Sequence, residues 1–150
     1  MAEMKNILIV DDDVGILESF SEILRLKGYS VDTANNASDG LKLAKEKYFH
    51  LALLDIKLPD MDGTELLAEL QRVRPAMMKI MVTGYANLEN SVKALNSGAD
   101  AYIIKPVNPG VLIQVIQEKI REQEEAERVD GEKVSDYLER QLLNLDEDQS

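Results

Sequence analysis

Cysteine is absent from the chain, which excludes a disulfide framework and a thiolate metal site alike. Histidine occurs once, at His50; it precedes an apolar run, reads as a surface residue and offers no credible phosphohistidine site. Basic residues are scarce, 17 Lys and Arg against 28 Asp and Glu, for a formal net charge of −11. Contact with a nucleic-acid backbone needs clustered cations, so that class of partner is disfavoured. Long apolar runs are missing as well, and none approaches the ~20 residues of a membrane span. Met1–Val10 lacks the basic-then-apolar order of a secretory leader. The expected location is therefore the cytoplasm, with no membrane partner.

What is present suits one soluble domain. At 150 residues, 45% of them apolar and 30% charged, the chain is long enough to bury a core. The acidity is uneven. Residues 121–150 hold eleven acidic and four basic side chains, a net −7, which leaves −4 for residues 1–120.

Strand and helix patterns alternate along the sequence. Ile7–Val10 is a short β-branched run, and Leu51–Leu54 is apolar throughout, as in a strand buried on both faces of a parallel sheet. Ser30–Ala34, Lys79–Val82 and Ala101–Ile104 complete five strands. Between them run helical spacings: Leu17, Phe20 and Leu24 up to Gly28, Ala37–Lys47, Gly63–Val73, Leu88–Asn96, and a last helix from Pro109 carrying Leu112, Ile116 and Ile120. Five strand-then-helix units predict an α/β fold, a parallel sheet with helices on both faces. The flavodoxin-like order 2-1-3-4-5 is expected, with its switch point between the first and third strands.

That topology brings Asp11 and Asp12 beside Asp55 at the carboxyl edge of the sheet. Such a concentration of negative charge is costly without a cation. Hard oxygen donors suit Mg²⁺, which takes one or two carboxylates plus water and phosphate oxygens. Thr83 ends the fourth strand with a hydroxyl and Lys105 ends the fifth with an ammonium. Together these groups make a site for a transferring phosphoryl group, with Asp55 as the nucleophile.

In these motifs the chain resembles the receiver domain of two-component response regulators. The resemblance rests on Asp11-Asp12, on Asp55 with Lys57-Leu58-Pro59-Asp60-Met61-Asp62-Gly63, on Thr83-Gly84-Tyr85, on Gly98-Ala99-Asp100-Ala101-Tyr102 and on Lys105-Pro106, all in family order over residues 4–121. It implies that Asp55 accepts phosphate from a sensor histidine kinase and that the chain signals through contacts with a downstream protein. It implies Mg²⁺ held by Asp12, Asp55 and the Lys57 carbonyl, with Asp11 acting through water. Lys105 would pair with the phosphoryl oxygens. Thr83 would hydrogen-bond the phosphoryl group, its movement coupled to Tyr102. A cis Lys105-Pro106 peptide is also implied.

Other residues have plainer readings. Asp13 is taken as a loop carboxylate or the cap of the following helix, and Asp60 and Asp62 as stabilising the turn into Gly63. Tyr85 reads as a loop aromatic, Met77 and Met78 as loop and core fillers. A Mg²⁺-dependent aspartyl-phosphate phosphatase would want a second acid two residues after the nucleophile, and Lys57 stands there. A DNA-binding regulator lacking its effector is a further alternative.

Residues 122–150 form an acidic extension outside the receiver core (residues 1–121). The run Glu122–Glu127 reads as a solvated helix face, Asp130-Gly131 as a break, and Asp146–Ser150 as a frayed acidic end. Between them Val134, Tyr137, Leu138, Leu142 and Leu145 recur at helical spacing. The extension is too short and too acidic for a helix-turn-helix domain. Docking of this stripe onto a receiver surface is expected, in cis or swapped between subunits, as is a homodimer formed on phosphorylation.

Overall fold

The computed structural model describes residues 4–84 and 87–149. Tyr85 and the reading placed on it lie outside them. Five strands, β1 (Asn6–Val10), β2 (Ser30–Ala34), β3 (Leu51–Leu54), β4 (Met78–Thr83) and β5 (Ala101–Ile104), alternate with α1 (Val14–Leu26), α2 (Ala37–Glu46), α3 (Gly63–Val73), α4 (Leu88–Asn96) and α5 (Pro109–Gln149). The strands pair in parallel in the order β2-β1-β3-β4-β5. This is the flavodoxin-like arrangement, and it puts β1 and β3 side by side at the topological switch point.

Side chains alternate strictly across the sheet, as the period of two requires. Ile7, Ile9, Leu51, Leu53, Ile80, Val82 and Ile103 meet Leu17 and Leu24 of α1 and Leu112, Ile116 and Ile120 of α5. Leu8, Val10, Ala52, Leu54 and Met81 face the other way, onto α2, α3 and Ala94 of α4. Leu51–Leu54 is buried at every position because both faces of β3 are covered.

The helices start where side chains cap them. Asp13 caps α1 by accepting from the Ile16 N–H, Asn36 caps α2 by accepting from Asp39, and Asp62 caps α3 by accepting from Thr64. Asn108 accepts from the N–H groups of Gly110 and Val111 at the start of α5. Gly28 and Gly98 close α1 and α4 with φ of 91° and 107°, the left-handed region glycine enters at no steric cost.

Four expectations are corrected. His50 is buried at 5% exposure: its Nδ1 accepts from the Asn6 N–H at 2.9 Å, and its ring meets Tyr48 edge-on. Asp60 does not serve the turn into Gly63; its two oxygens accept from the N–H groups of Ala37 and Ser38, both at 2.9 Å, at the start of α2. Asp130-Gly131 is not a break, because α5 runs through it without interruption to Gln149. Val134, Tyr137, Leu138, Leu142 and Leu145 are all more than half exposed, so among the described residues the stripe docks on no surface of its own receiver domain.

A buried lysine ties the opposite end of the sheet. Lys79 is fully buried, and its Nζ donates to Gln71 Oε1 at 2.8 Å, the Arg74 carbonyl at 2.9 Å and the Met77 carbonyl at 2.6 Å. Burial pulls its pKa below the ordinary value, and the Asp100 charge only partly opposes this. No described helix is long and apolar enough to cross a membrane.

Candidate functional site

The carboxyl ends of β1, β3, β4 and β5 open on one edge, where an open α/β sheet receives its ligands. Asp11 follows β1 and donates its N–H to the Ala34 carbonyl; Asp55 follows β3 and donates to the Val10 carbonyl. These backbone bonds prolong the sheet by one residue and fix both carboxylates next to each other. Asp11 and Asp55 are 3% and 4% exposed, whereas Asp12 faces solvent. One oxygen from each of the three lies within 4.8 Å of the others.

Lys105 reaches into this cluster from the end of β5. Its Nζ donates to Asp11 Oδ2 at 2.7 Å and to Asp55 Oδ2 at 3.1 Å. Burial pushes the Asp11 carboxyl above the usual range, and the Asp55 charge adds to this. Hydrogen bonds from Lys105 and from the Asp13 N–H pull the other way without cancelling it. For Lys105, burial disfavours the ammonium, but its hydrogen bonds to Asp11 and Asp55 and their charges prevail and raise its pKa. A half-buried cation shared by two buried carboxylates still leaves the group net negative, so a further cation would be stabilised there.

The loop after Asp55 is pressed against it. The Lys57 N–H faces Asp55 Oδ1 at 3.4 Å, and Lys57 and Asp62 form an isolated antiparallel bridge. Gly63 closes this turn so tightly that a Cβ there would lie 1.9 Å from the Asp55 carbonyl oxygen. Asp62 accepts from the Thr64 N–H and hydroxyl at 2.8 and 2.7 Å, and Asp60 straps the same loop to α2. The fit of Gly63 against the Asp55 backbone and the reach of Asp60 were invisible in the sequence, where glycine after aspartate signals only a turn.

Thr83 ends β4 fully buried, and its carbonyl accepts from the Lys105 N–H at 2.9 Å. Tyr102 pairs with Met81 across the β4–β5 ladder while Thr83 pairs with Ile104, so Thr83 and Tyr102 project from the same face of the sheet. Tyr102 packs against the cluster beneath α2, α3 and α4. Its hydroxyl is buried and finds no hydrogen-bond partner among the described residues. The Lys105-Pro106 peptide is cis.

An acidic pocket closed by a lysine, at the switch-point edge of a five-stranded flavodoxin-like sheet, defines the receiver class of signalling domain. The profile of the response regulator receiver domain matches residues 7–117, and the chain belongs to that family. Among solved structures it is similar to a CheY-like response regulator receiver domain protein from Methanospirillum hungatei JF-1. That match is 58% identical, with a TM-score of 0.82, over 83% of this chain and 99% of that one. It is also similar to the BeF3-activated DrrB receiver domain, at 34% identity and a TM-score of 0.74, over 79% of this chain and 99% of that one. Among curated proteins it is 40% identical to the transcriptional regulatory protein ZraR of Klebsiella oxytoca, over 71% of this chain and 24% of the relative. The chain thus spans about a quarter of that relative's length.

Proposed function

We propose that this receiver domain is a phosphorylation-controlled binding switch whose nucleophile is Asp55. A sensor histidine kinase presents a phosphohistidine. An Asp55 oxygen attacks the phosphorus, the P–N bond breaks, the imidazole leaves with its electron pair, and an acyl phosphate remains. The observation that carries the assignment is the position of Asp55, at the end of the central strand with its Oδ2 already 3.1 Å from the Lys105 ammonium. Lys105 then follows the charge onto the phosphoryl oxygens.

The donor set suits Mg²⁺. All three side chains offer hard oxygen, and one oxygen from each lies within 4.8 Å of the others. Asp12, Asp55 and the Lys57 carbonyl would hold the ion, Asp11 through water. When bound it supplies positive charge against the oxygens of the transferring group. The same pocket would support phosphorylation from small acyl-phosphate donors and hydrolysis by water attack on the acyl phosphate.

Phosphorylation adds ~1.5–2 negative charges, and we assign the hydroxyl that donates to them to Thr83. We read Thr83 and Tyr102 as the switch pair. Thr83 moves toward the phosphoryl group, and Tyr102 moves into the vacated space, where its unpartnered hydroxyl can find an acceptor. The output is contact with a downstream protein, and a net charge of −11 disfavours nucleic acid as a direct partner.

Incubation with acetyl phosphate and Mg²⁺, followed by intact mass spectrometry, tests the assignment. One phosphoryl group should add to the wild type and none to Asp55→Asn. Undiminished addition to the variant would move the nucleophile elsewhere. Rapid multiple turnover of varied phosphate esters would make the chain an enzyme instead.

A further inference from the structure

The first part of α5 is held to the sheet by Leu112, Ile116 and Ile120, and the buried contacts end at Gln123, whose amide donates to the His50 and Ala76 carbonyls. Eleven residues are three helical turns with a drift of ~20°, so residues eleven apart share one face. Leu112, Gln123, Val134 and Leu145 stand at that interval, as do Ile116, Glu127 and Leu138, and Ile120, Gly131 and Leu142. The exposed stripe beyond residue 133 is therefore the continuation of the face that packs on the sheet, carried past the sheet's end.

Charge brackets this stripe. Residues 122–132 carry six acids and one base, and Asp146, Glu147 and Asp148 follow Leu145. On the faces turned away from the stripe Glu125 and Glu132 pair with Arg128 and Glu122 with Lys119, while Glu124, in line with Leu142, is taken by Lys5. Glu127 and Asp130 lie on the stripe's own face, and neither is paired with a cation among the described residues. A second copy of the chain would oppose acid to acid in either a parallel or an antiparallel pairing. A cationic partner would not.

We propose that the stripe Val134–Leu145 is a docking face for a partner protein helix or groove with an apolar strip ~18 Å long, the rise of twelve helical residues, bordered at its ends by Lys or Arg. Glu127 and Asp130 receive the cations at one end, and the sequence carries three further acids, Asp146, Glu147 and Asp148, after the other. Apolar burial supplies attachment, and the charges set orientation and partner choice.

The test uses the full chain and two labelled helical peptides, each with a three-turn leucine face, one flanked by lysines and the other by glutamates. Fluorescence anisotropy should show binding of the lysine peptide, weakened by salt, and no binding of the glutamate peptide. Leu138→Ser/Leu142→Ser and Glu127→Gln/Asp130→Asn should each weaken binding at least tenfold while leaving the thermal transition unchanged, since all four side chains lie outside the core. Equal affinity for both peptides, or undiminished binding by the leucine variant, would overturn the proposal. So would a dimer in sedimentation that the leucine variant converts to monomer, for then a second copy covers the stripe.

Discussion

Asp11 and Lys105, separated by 94 positions in the chain, meet at 2.7 Å beneath the edge of the sheet. The contact joins the first strand to the last segment before α5, and it exists because β3 and β4 hold those strands at the right separation. Removing the ammonium would leave Asp11 and Asp55 buried without a cation. Lys105→Met is expected to destabilise the metal-free chain by ~3 kcal/mol, the low end for breaking a buried pair because Lys105 is partly open to water. Mg²⁺ should recover most of that loss, and urea unfolding with and without Mg²⁺ measures both.

Asp12 and Asp13 are neighbours with different tasks. The first belongs to the acidic cluster, and the second caps α1. In calorimetric titration Asp12→Ala should lower Mg²⁺ affinity at least tenfold, and Asp13→Ala less than twofold. Asp13→Ala should instead cost ~1 kcal/mol of stability through the lost cap. Equal losses of affinity would reverse the assignment.

Thr83→Ala separates accepting phosphate from responding to it. The variant should gain one phosphoryl group with acetyl phosphate, since Asp55 and Lys105 are untouched. The ring resonances of Tyr102 should shift on phosphorylation in the wild type and stay in place in the variant. A full shift in the variant would show that Tyr102 moves for another reason.

Asp62 gives a pH dependence of known sign. Burial works against its carboxylate, but hydrogen bonds from Thr64 and the Lys93 charge prevail and hold its pKa below 3.8. A carboxylate lowered by folding contributes stability above its unfolded pKa and loses it as pH falls through the folded value. Asp62→Ala should therefore cost ~0.5–2 kcal/mol at pH 7. The gap between wild type and variant should narrow as pH falls below the ordinary carboxylate range, as urea midpoints at pH 7 and in acid would show.

The sheet and four of the helices were legible because each strand is a short apolar run closed by a turn, and each helix repeats its apolar residues at three and four. The acidic cluster was legible for the same reason, since parallel topology gathers strand ends at one edge. His50 was not. Its burial is decided by Asn6 and Gln123, far away in sequence, and a lone histidine beside a strand carries no local sign of them. Lys79 likewise read only as part of a strand, while three carbonyl acceptors assembled by the ends of α3 and β4 determine its fate. Gly131 misled because an isolated glycine costs a helix ~1 kcal/mol, less than its strongly helix-forming neighbours return.

Helix α5 leaves the sheet beside His50 and Ala76, at the end opposite Asp55, and continues from Gln123 to Gln149. From the last buried anchor to Leu145 is a rod of ~33 Å. A tilt of only ~5° at the anchor sweeps Leu145 through ~3 Å, half the spacing of one helical turn. The helix is thus a pointer: angular changes too small to disturb the packing of Leu112 and Ile116 become displacements at its far end large enough to make or break a contact.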